Sequence, residues 1–278
     1  MEMTRQSESL KDHVAVVAGG SGGIGMCVCK ALRQLGATVV SVHRRSRHSG
    51  AAADGIVELQ ADLRSFDEWT RLVGIIMERF GAIDSLINCS GILIPGTVLS
   101  LSESQIHAMI EVNILSFMYG CRAVLPVMHR QKRGHIIAVG SLGGVLPMPF
   151  EPVYCATKFA LRGFALSVNE EVRGTGIRCS VVSSGPVATS MLDEEAHDPN
   201  SVIAFMTKPM TPEAVTGTIL ELLSHPRPEV MVPRAAGMSS RLLAFTPRLF
   251  GLMFRLLTPY GQWRQKRYIN DRAILSNP

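Results

Sequence analysis

Residues 14–25, VAVVAGGSGGIG, place an apolar β-branched run directly before a cluster of glycines, and a helical pattern follows as far as Gly36. Glycine allows a tight turn and a close approach of backbone to ligand, while the free N–H groups at a helix N-terminus attract negative charge. A flexible turn is the plainer interpretation, but a position between strand and helix favours nucleotide binding. The residues expected to hold the nucleotide here are Gly19, Ser21, Gly22, Gly23, Ile24 and Gly25.

The order of strand and then helix repeats along the chain. Most strand candidates are apolar without alternation, which is typical of parallel strands covered on both faces. The sequence therefore predicts an α/β fold, a Rossmann-type doubly wound parallel sheet with ligands at the carboxyl ends of its strands. The predicted strands are 14–19, 38–43, 56–62, 85–91, 135–141, 178–184 and 229–233. The predicted helices are 23–35, 67–80, 103–130, 152–173 and 212–224.

The composition limits the class of protein. The chain has 278 residues, of which 46% are hydrophobic and 18% charged, enough for one large domain with a substantial core. Its six cysteines lack zinc-site spacing and the N-terminus is too polar for a secretory signal, so we expect a cytoplasmic protein with reduced thiols and no metal. Arg, Pro or Gly interrupts each apolar run before the roughly eighteen residues of a spanning helix.

Basic charge is concentrated near the C-terminus. Between Arg234 and Arg272 there are eight basic residues and one acid, whereas the net charge of the whole chain is only +5. Few aromatic or polar base-reading groups are interleaved with these arginines, so nucleic acid is the least expected partner. We expect residues 1–233 to form the dinucleotide-binding and catalytic domain, and residues 234–278 to form a basic, apolar helical extension.

A basic segment also follows the second predicted strand. His43 precedes Arg44 and Arg45, where a site for NADH would be expected to place an acid against the ribose hydroxyls. Guanidinium groups can pair with a 2′-phosphate. A solvated loop is the alternative, but the glycine turn upstream favours a cofactor site, so the sequence predicts NADPH over NADH.

Tyr154 and Lys158 stand four residues apart in predicted helix 152–173, which puts both side chains on one face. A free tyrosine titrates at about pH 10, and a nearby ammonium lowers that pKa by stabilising the phenolate. Lys158 is therefore expected to tune Tyr154 as an acid or base. The pair alone is a weak signal, because such short motifs also arise by chance.

Together these features resemble the short-chain dehydrogenase/reductase family over about residues 12–232. Gly19, Gly23 and Gly25 match the glycine turn of that family, with Ala18 in place of the usual threonine. Ser184 likewise replaces a usual proline. The other matching positions are Asp62, Leu63, Asn88, Gly91, Asn113, Ser141, Tyr154, Lys158, Gly185, Val187 and Thr189.

The resemblance implies a role for each matching residue. Tyr154 would exchange a proton with the substrate oxygen, Ser141 would hydrogen-bond that oxygen, and Lys158 would hold the nicotinamide ribose. Asn113 would hold a water molecule of a proton relay, and Asp62 would lie against the adenine. The remaining positions would contact the cofactor. The implied reaction is hydride transfer between the nicotinamide and a carbonyl carbon, in either direction.

The run VGSLGGVLPMPFEPVYCATKFALRGF, residues 139–164, is most similar to hydroxysteroid and retinol dehydrogenases within the family, which take large apolar substrates. The residues expected to contact substrate are Ser141, Leu142, Gly143, Phe150, Tyr154 and Met191. Further candidates, which could equally be core, are Val145, Leu146, Met148, Phe205 and Met206. Residues 190–210 suit a mobile lid, with a disordered surface loop as the alternative.

The C-terminal segment 239–268 is apolar, with arginines at Arg241, Arg248 and Arg255. We expect Thr246 to cap a helix that Pro247 begins and Pro259 ends. The seven-residue spacing puts the arginines near one face, which fits a helix lying on an anionic membrane surface. A helix packed across the substrate pocket or in a subunit interface fits equally well.

The leading hypothesis is an NADPH-dependent oxidoreductase that reduces a hydrophobic ketone or aldehyde of steroid, retinoid or lipid type, or catalyses the reverse oxidation. A 3-oxoacyl-thioester reductase is the second hypothesis, which the C-terminal extension disfavours. A non-catalytic NADP(H)-binding sensor or scaffold is the third, and the complete catalytic set argues against it. The family resemblance also implies a homodimer or homotetramer, in the cytoplasm or peripheral on a membrane.

Overall fold

The structure is a computed structural model that describes residues 9–44 and 55–276, with side chains as far as Arg272. A seven-stranded sheet forms its centre, and all neighbouring strands in it are parallel. The strands are β1 (Val14–Ala18), β2 (Thr38–His43), β3 (Ile56–Gln60), β4 (Ser85–Asn88), β5 (Gly134–Ser141), β6 (Ile177–Ser184) and β7 (Glu229–Val232). Their order across the sheet is β3-β2-β1-β4-β5-β6-β7.

Helices cover both faces of this sheet. They are α1 (Gly23–Gln34), α2 (Phe66–Phe80), α3 (Glu103–Ile110), α4 (Ser116–Gln131), α5 (Pro152–Glu171), α6 (Ser190–Glu195), α7 (Pro212–Ser224), α8 (Arg234–Ala244) and α9 (Pro247–Ser276). A π-helical turn (Glu111–Leu115) joins α3 to α4, and 3₁₀ turns occupy Leu142–Gly144 and Ile203–Phe205. Helices α2, α4 and α5 pack on one face of the sheet, and α1 and α7 on the other.

Strand β1 shows why the predicted strands read as unbroken apolar runs. Val14, Val16 and Ala18 belong to the core shared with α2, α4 and α5. Ala15 and Val17 belong to the core shared with α1 and α7. Because successive side chains of a strand face opposite sides, a sheet covered twice needs an apolar residue at every position. The predicted α/β doubly wound fold is confirmed.

The order of strands places a crevice beside β1. Strands β2 and β3 lie on one side of β1, and β4 to β7 lie on the other. In such sheets ligands bind outside the carboxyl ends of the strands, at the point where the connections diverge. The glycine turn follows β1, and Asn88 ends β4, so both stand at this crevice.

The helical stretch Glu103–Gln131 is long and apolar enough to cross a membrane by length and composition, with a mean hydropathy of 1.3. A core helix passes the same test. Phe117, Cys121 and Val124 of this stretch are buried in the main core, against the sheet and α2. The apolar face of the stretch is therefore accounted for by packing within the fold.

The prediction that Pro259 ends the C-terminal helix is wrong, because α9 continues through it to Ser276. Proline removes one backbone hydrogen bond and usually kinks or breaks a helix. Here the turns beyond it are held by tertiary contacts: Gly261 and Gln265 are both buried, and a Cβ on Gly261 would lie 2.9 Å from the carbonyl oxygen of Val202. Packing thus outweighs the local preference.

Thr246 stands before Pro247 as expected, but its hydroxyl does not cap α9. Its Oγ1 donates to the carbonyl oxygens of Leu242 and Leu243 in α8, at 3.4 Å each. The side chain therefore adds to the end of α8, where the backbone N–H groups of Phe245 and Thr246 already bond the same two carbonyls.

Candidate active site

The glycine turn brings the backbone close to two other loops. Gly19 has φ +75°, and a Cβ on it would lie 2.8 Å from the backbone nitrogen of Ser90. A Cβ on Gly23 would lie 2.6 Å from Cγ2 of Thr189. Helix α1 begins here with Gly22 as N-cap, without a side-chain cap or an acid in its first turn. Its N–H groups can therefore hold a pyrophosphate.

The end of β2 offers two basic groups of different burial. His43 is buried, its Nε2 lies 3.8 Å from a Glu58 carboxylate oxygen, and its Nδ1 has no hydrogen-bond partner. Arg44 is exposed, and Arg45 lies outside the described residues. The Asp62 carboxylate pairs with Arg64 at 2.6 Å, and hydrogen bonds from Arg64 lower its pKa. The charge of Arg44 also lowers that pKa, so Arg44 stands at the same edge of the sheet.

Asn113 lies in the π-helical turn and is fully buried. Its Oδ1 accepts from the backbone N–H of Ile92 at 2.8 Å, and its Nδ2 donates to the Ile92 carbonyl at 2.9 Å and to Thr157 Oγ1 at 3.0 Å. The amide thus ties the loop after β4 to α5, beside Gly91, where a Cβ would lie 3.3 Å from Lys158 Nζ. Both polar atoms of this side chain are hydrogen-bonded within the protein, so Asn113 positions the loop after β4 relative to α5.

Ser141, Tyr154 and Lys158 meet at the carboxyl end of β5. Ser141 is the last residue of β5, and its Oγ accepts from the backbone N–H of Gly143 at 3.0 Å. Tyr154 and Lys158 lie one turn apart on α5, with Lys158 Nζ 5.6 Å from the centroid of the tyrosine ring and 3.4 Å from the Val139 carbonyl oxygen. The structure brings these three side chains to one cavity, because strand end and helix turn both face it.

The titration of the pair differs from the expectation that Lys158 lowers the pKa of Tyr154. Burial raises the pKa of Tyr154, a hydrogen bond with Ser141 opposes this, and the charges of Glu151 and Glu195 add to the increase. Burial also lowers the pKa of Lys158 to about 8. Desolvation of the charged forms outweighs the contact between the two side chains.

A cavity of about 520 Å³ runs from the glycine turn past Lys158 and Tyr154 to α9. Predicted cofactor residues that line it are Gly22, Gly23, Ile24, Gly25, Gly91, Tyr154, Lys158, Gly185, Val187 and Thr189. A helix N-terminus at one end and an ammonium group further along fit a dinucleotide with its pyrophosphate at the first and its nicotinamide ribose at the second. Predicted substrate residues that line it are Ser141, Leu142, Leu146, Met148, Tyr154, Met191 and Met206.

Two predicted substrate residues, Gly143 and Phe150, are not among the residues that line the cavity, and their contact with substrate stays a prediction. Gly143 is buried beneath Met148, and its backbone N–H serves Ser141. Phe150 has φ +66°, and its side chain is 37% exposed. A turn that needs a positive φ carries this phenylalanine away from the cavity. The motif spacing carries no information about such a turn.

Residues 190–210 are ordered, which contradicts the disordered-loop alternative. Leu192, Ala196, Ala204 and Phe205 form a small core with Tyr268 and Ile269 of α9. The ring centroids of Phe205 and Tyr268 are 5.3 Å apart. Gln265 Nε2 donates to the carbonyls of Ala196 and Asp198, at 2.9 and 2.7 Å. The segment is a cover over the cavity that α9 holds in place.

Helices α8 and α9 contribute cavity residues that lie outside the family resemblance and its motifs. They are Ala236, Ser239, Ser240, Leu243, Phe250, Met253, Phe254 and Leu257. Phe250, Phe254 and Leu257 follow a spacing of four and three residues, the signature of one helix face. The same cavity wall contains two buried carboxyl groups, Glu151 and Glu195, for which no motif gave a signal.

Comparisons with known proteins agree with this arrangement. Residues 13–200 match the family model described as short chain dehydrogenase. An uncharacterized oxidoreductase of Staphylococcus saprophyticus subsp. saprophyticus is 34% identical over 192 residues, covering 66% of this chain and 78% of that protein. The crystal structure of gox2181 matches with a TM-score of 0.74 and 21% identity, covering 83% of this chain and 98% of that chain. ElxO with NADP bound matches with a TM-score of 0.71 and 22% identity, covering 81% and 99%. The two solved structures show the fold.

Proposed function

The chain belongs to the short-chain dehydrogenase family of oxidoreductases, and we propose that it is an NADPH-dependent reductase of hydrophobic ketones or aldehydes. The observation that carries the proposal is the single cavity described above. It begins at a helix N-terminus suited to a pyrophosphate, passes Ser141, Tyr154 and Lys158, and ends against apolar side chains of α9. Cofactor, proton donor and apolar substrate therefore have places in one continuous space.

The proton chemistry follows from three side chains. Since Ser141 Oγ accepts the N–H of Gly143 and bonds Tyr154, its hydroxyl stands beside the phenol and can turn to donate to a substrate carbonyl oxygen. NADPH, when bound, supplies the hydride for the carbonyl carbon. The Tyr154 hydroxyl gives its proton to the oxygen as negative charge develops there. The nearby Lys158 ammonium stabilises the phenolate that remains.

The direction of the reaction is supported by the state of Tyr154. Burial raises its pKa, so the phenol keeps its proton at neutral pH until a strong base forms beside it. The developing alkoxide of a reduced carbonyl is such a base. A protonated phenol is already the proton donor that reduction requires, whereas oxidation requires the phenolate as base.

The choice of NADPH is supported by the basic end of β2. The exposed guanidinium of Arg44 and the buried imidazole of His43 stand where an NADH site would place an acid. A solved structure with this fold, ElxO, has NADP bound. A guanidinium–phosphate pair would supply the discrimination between the two nucleotides.

The substrate class is supported by the lining of the cavity. Its outer end is formed by Leu146, Met148 and Met206 together with Phe250 and Phe254 of α9. Such a lining favours a steroid, retinoid or lipid carbonyl over a small polar one. A 3-oxoacyl thioester is the second candidate, since an acyl chain is equally apolar.

The experiment is NADPH consumption by the purified protein with a panel of fused-ring ketones, long-chain aldehydes, 3-oxoacyl thioesters and, as controls, small polar ketones. We expect turnover with the first two classes and at least a roughly 10-fold lower kcat/KM for the polar controls. Each methylene contact that a small substrate fails to make in an apolar pocket weakens binding of its transition state. Turnover confined to thioesters would transfer the assignment to the second candidate. NADPH binding without turnover of any carbonyl would contradict the proposal.

A further inference from the structure

Two buried carboxyl groups stand in the wall of the otherwise mostly apolar substrate end of the cavity. Glu151 directly precedes α5, three residues before Tyr154, and Glu195 is the last residue of α6. Their residues are only 2% and 7% exposed. Both line the same cavity as Tyr154 and the inner residues of α9.

Neither carboxyl has a cationic partner among the residues that the structure describes. Both oxygens of Glu151 are buried, and the hydrogen bonds that lower the pKa of Glu151 come from Glu195 and from the fully buried Ser201. Buried polar groups are nearly always hydrogen-bonded, since burial without a partner is costly. The hydrogen-bonding capacity that the pair keeps beyond these bonds lies in the cavity wall, which both glutamates line.

The protonation of the pair narrows the kind of ligand. Burial raises the pKa of both carboxyls, and the charge of Glu151 raises that of Glu195 further. The nearby Asp198 acts in the same direction on both. Two adjacent carboxyls in such surroundings share a proton at neutral pH. The pair thus offers one donor and several acceptors within a small space.

We infer that Glu151 and Glu195 form a polar subsite that binds a hydroxyl group of the substrate, at a position other than the carbonyl held by Ser141 and Tyr154. A hydroxyl both donates and accepts, which matches a carboxyl beside a carboxylate. An ammonium group only donates, so it would leave the donor of the pair without an acceptor. The inference rests on the proposed function, and it narrows the substrate to an apolar hydroxyketone or hydroxyaldehyde.

The test compares one fused-ring ketone with two derivatives, one bearing a distal hydroxyl and one a distal primary amine. The enzymes are the wild type and the variants Glu151→Leu, Glu195→Leu and Glu151→Gln, with Glu194→Leu as the matched control. Glu194 is exposed and adjacent to Glu195 in sequence. The measured quantity is the ratio of kcat/KM for the hydroxyketone to that for the plain ketone. A ratio taken within each variant is insensitive to partial loss of folded protein.

We expect a ratio of at least about 10 in the wild type, because a site built to bond a hydroxyl rejects the analogue that lacks it. Each leucine variant should lower the ratio to about one. Glu151→Gln, which keeps a donor and an acceptor, should stay within roughly 3-fold of the wild type, as should Glu194→Leu.

Three results would overturn the inference. Equal ratios in the wild type and both leucine variants would show that the two glutamates do not bind the hydroxyl. Turnover of the plain ketone in the same experiment would still support the proposed reductase. A higher kcat/KM for the amine, abolished by Glu151→Gln, would identify a cation subsite instead. Absence of turnover with all three ketones, while NADPH still binds, would contradict the proposed function and the subsite together.

Discussion

At Tyr154 the surroundings of the phenol act in opposite directions. Burial and the nearby carboxyls raise its pKa, whereas the hydrogen bond with Ser141 lowers it. The hydroxyl is thereby kept protonated but placed beside a group that stabilises its anion. This balance suits a residue that gives up a proton only when an alkoxide forms next to it.

Tyr154→Phe removes the proton donor and little else, because the ring remains buried against Lys158. We expect kcat to fall by about 10²- to 10⁴-fold, the usual contribution of a positioned general acid. NADPH affinity, measured by cofactor fluorescence, should change little. If the variant keeps more than about a tenth of wild-type turnover, another group supplies the proton. If Tyr154→Phe leaves the cellular role of the protein unchanged, the non-catalytic sensor is favoured.

Arg44→Ala should weaken NADPH selectively. A charged hydrogen bond to the 2′-phosphate is lost, so kcat/KM for NADPH should fall by roughly 10-fold or more while that for NADH changes little. Arg130→Ala, an exposed position at the end of α4, is the control. Two results would contradict the assignment of NADPH. One is a preference for NADH in the wild type, and the other is a cofactor preference that neither Arg44→Ala nor Arg45→Ala changes.

His135 links stability to pH. Burial lowers its pKa to about 4, and its Nε2 lies 2.8 Å from Ser180 Oγ. The unfolded chain therefore binds a proton that the folded protein excludes, and stability is lost as the pH falls from about 6.5 through about 4. At the acid end of that pH range, this group lowers the free energy of unfolding by about 3 kcal/mol.

Urea unfolding at about pH 7 and about pH 4.5 measures this effect, which corresponds to roughly 2–3 kcal/mol between the two conditions. His135→Gln should reduce the pH dependence by that amount, and replacement of the exposed His225 should not. An identical pH dependence in His135→Gln and in the wild type would contradict the prediction.

At the scale of secondary-structure elements, α9 performs two tasks at two places along its length. Its inner face lines the cavity through Phe250, Phe254 and Leu257. Its later turns hold the cover, segment 190–210, through Gln265 and Tyr268. The helix therefore couples the wall of the substrate site to the element that closes it.

Gln265→Ala should loosen the cover without affecting the sheet. The change leaves the Ala196 carbonyl without this buried donor, and the Asp198 carbonyl keeps only the Ser201 N–H. Loss of a buried partner destabilises the local structure by about 1–3 kcal/mol. Amide hydrogen exchange in residues 190–205 should then be faster by roughly 10-fold or more, while exchange in β1 and β5 is unchanged. The exposed Gln262 gives the matched control, Gln262→Ala. Equal exchange in the two variants would show that Gln265 does not hold the cover.

On the scale of the whole molecule, the outer face of α8 and α9 is a large exposed apolar surface. Its members are Met238, Leu242, Phe245, Leu249, Leu252, Leu256, Tyr260 and Trp263. Arg248 and Arg255 are exposed on the same helix, whereas Arg241 is engaged with Glu229 at 2.6 Å. The predicted row of three free arginines is therefore reduced to two.

We propose that this surface lies on an anionic bilayer. Apolar side chains flanked by arginines are the composition of an interfacial helix, and the opposite face of the same helix lines the substrate cavity. An apolar substrate dissolved in the bilayer would then have a short path to Tyr154.

Flotation of the full chain with vesicles tests the proposal. We expect binding to phosphatidylcholine vesicles that contain phosphatidylglycerol, and weaker binding without it. The double variant Leu252→Ser, Leu256→Ser should reduce binding by roughly 10-fold or more, since each buried leucine contributes about 1.5–3 kcal/mol. Leu99→Ser, at a 98% exposed leucine outside α8 and α9, should not. Equal flotation of both variants, or a dimer that covers the surface, would contradict the proposal.

Local pattern in the sequence was sufficient to predict the strands, the glycine turn and the shared face of Tyr154 and Lys158. Unbroken apolar runs identified the strands, because a strand covered on both faces needs an apolar residue at each position. The glycines after β1 marked the cofactor turn, where Gly19 has a positive φ. The four-residue spacing of Tyr154 and Lys158 put them on one helix face, since neighbours along a helix surface recur at that interval.

Features that join distant parts of the chain emerged only in three dimensions. Glu151 and Glu195 are far apart in sequence, and no periodicity indicates that they share a cavity wall. The continuation of α9 beyond Pro259 depends on packing against residues 196–206, which a local rule for proline cannot include. Local patterns record what each segment prefers alone, whereas these contacts arise from free energy gained when segments pack together, and that gain outweighs local preference.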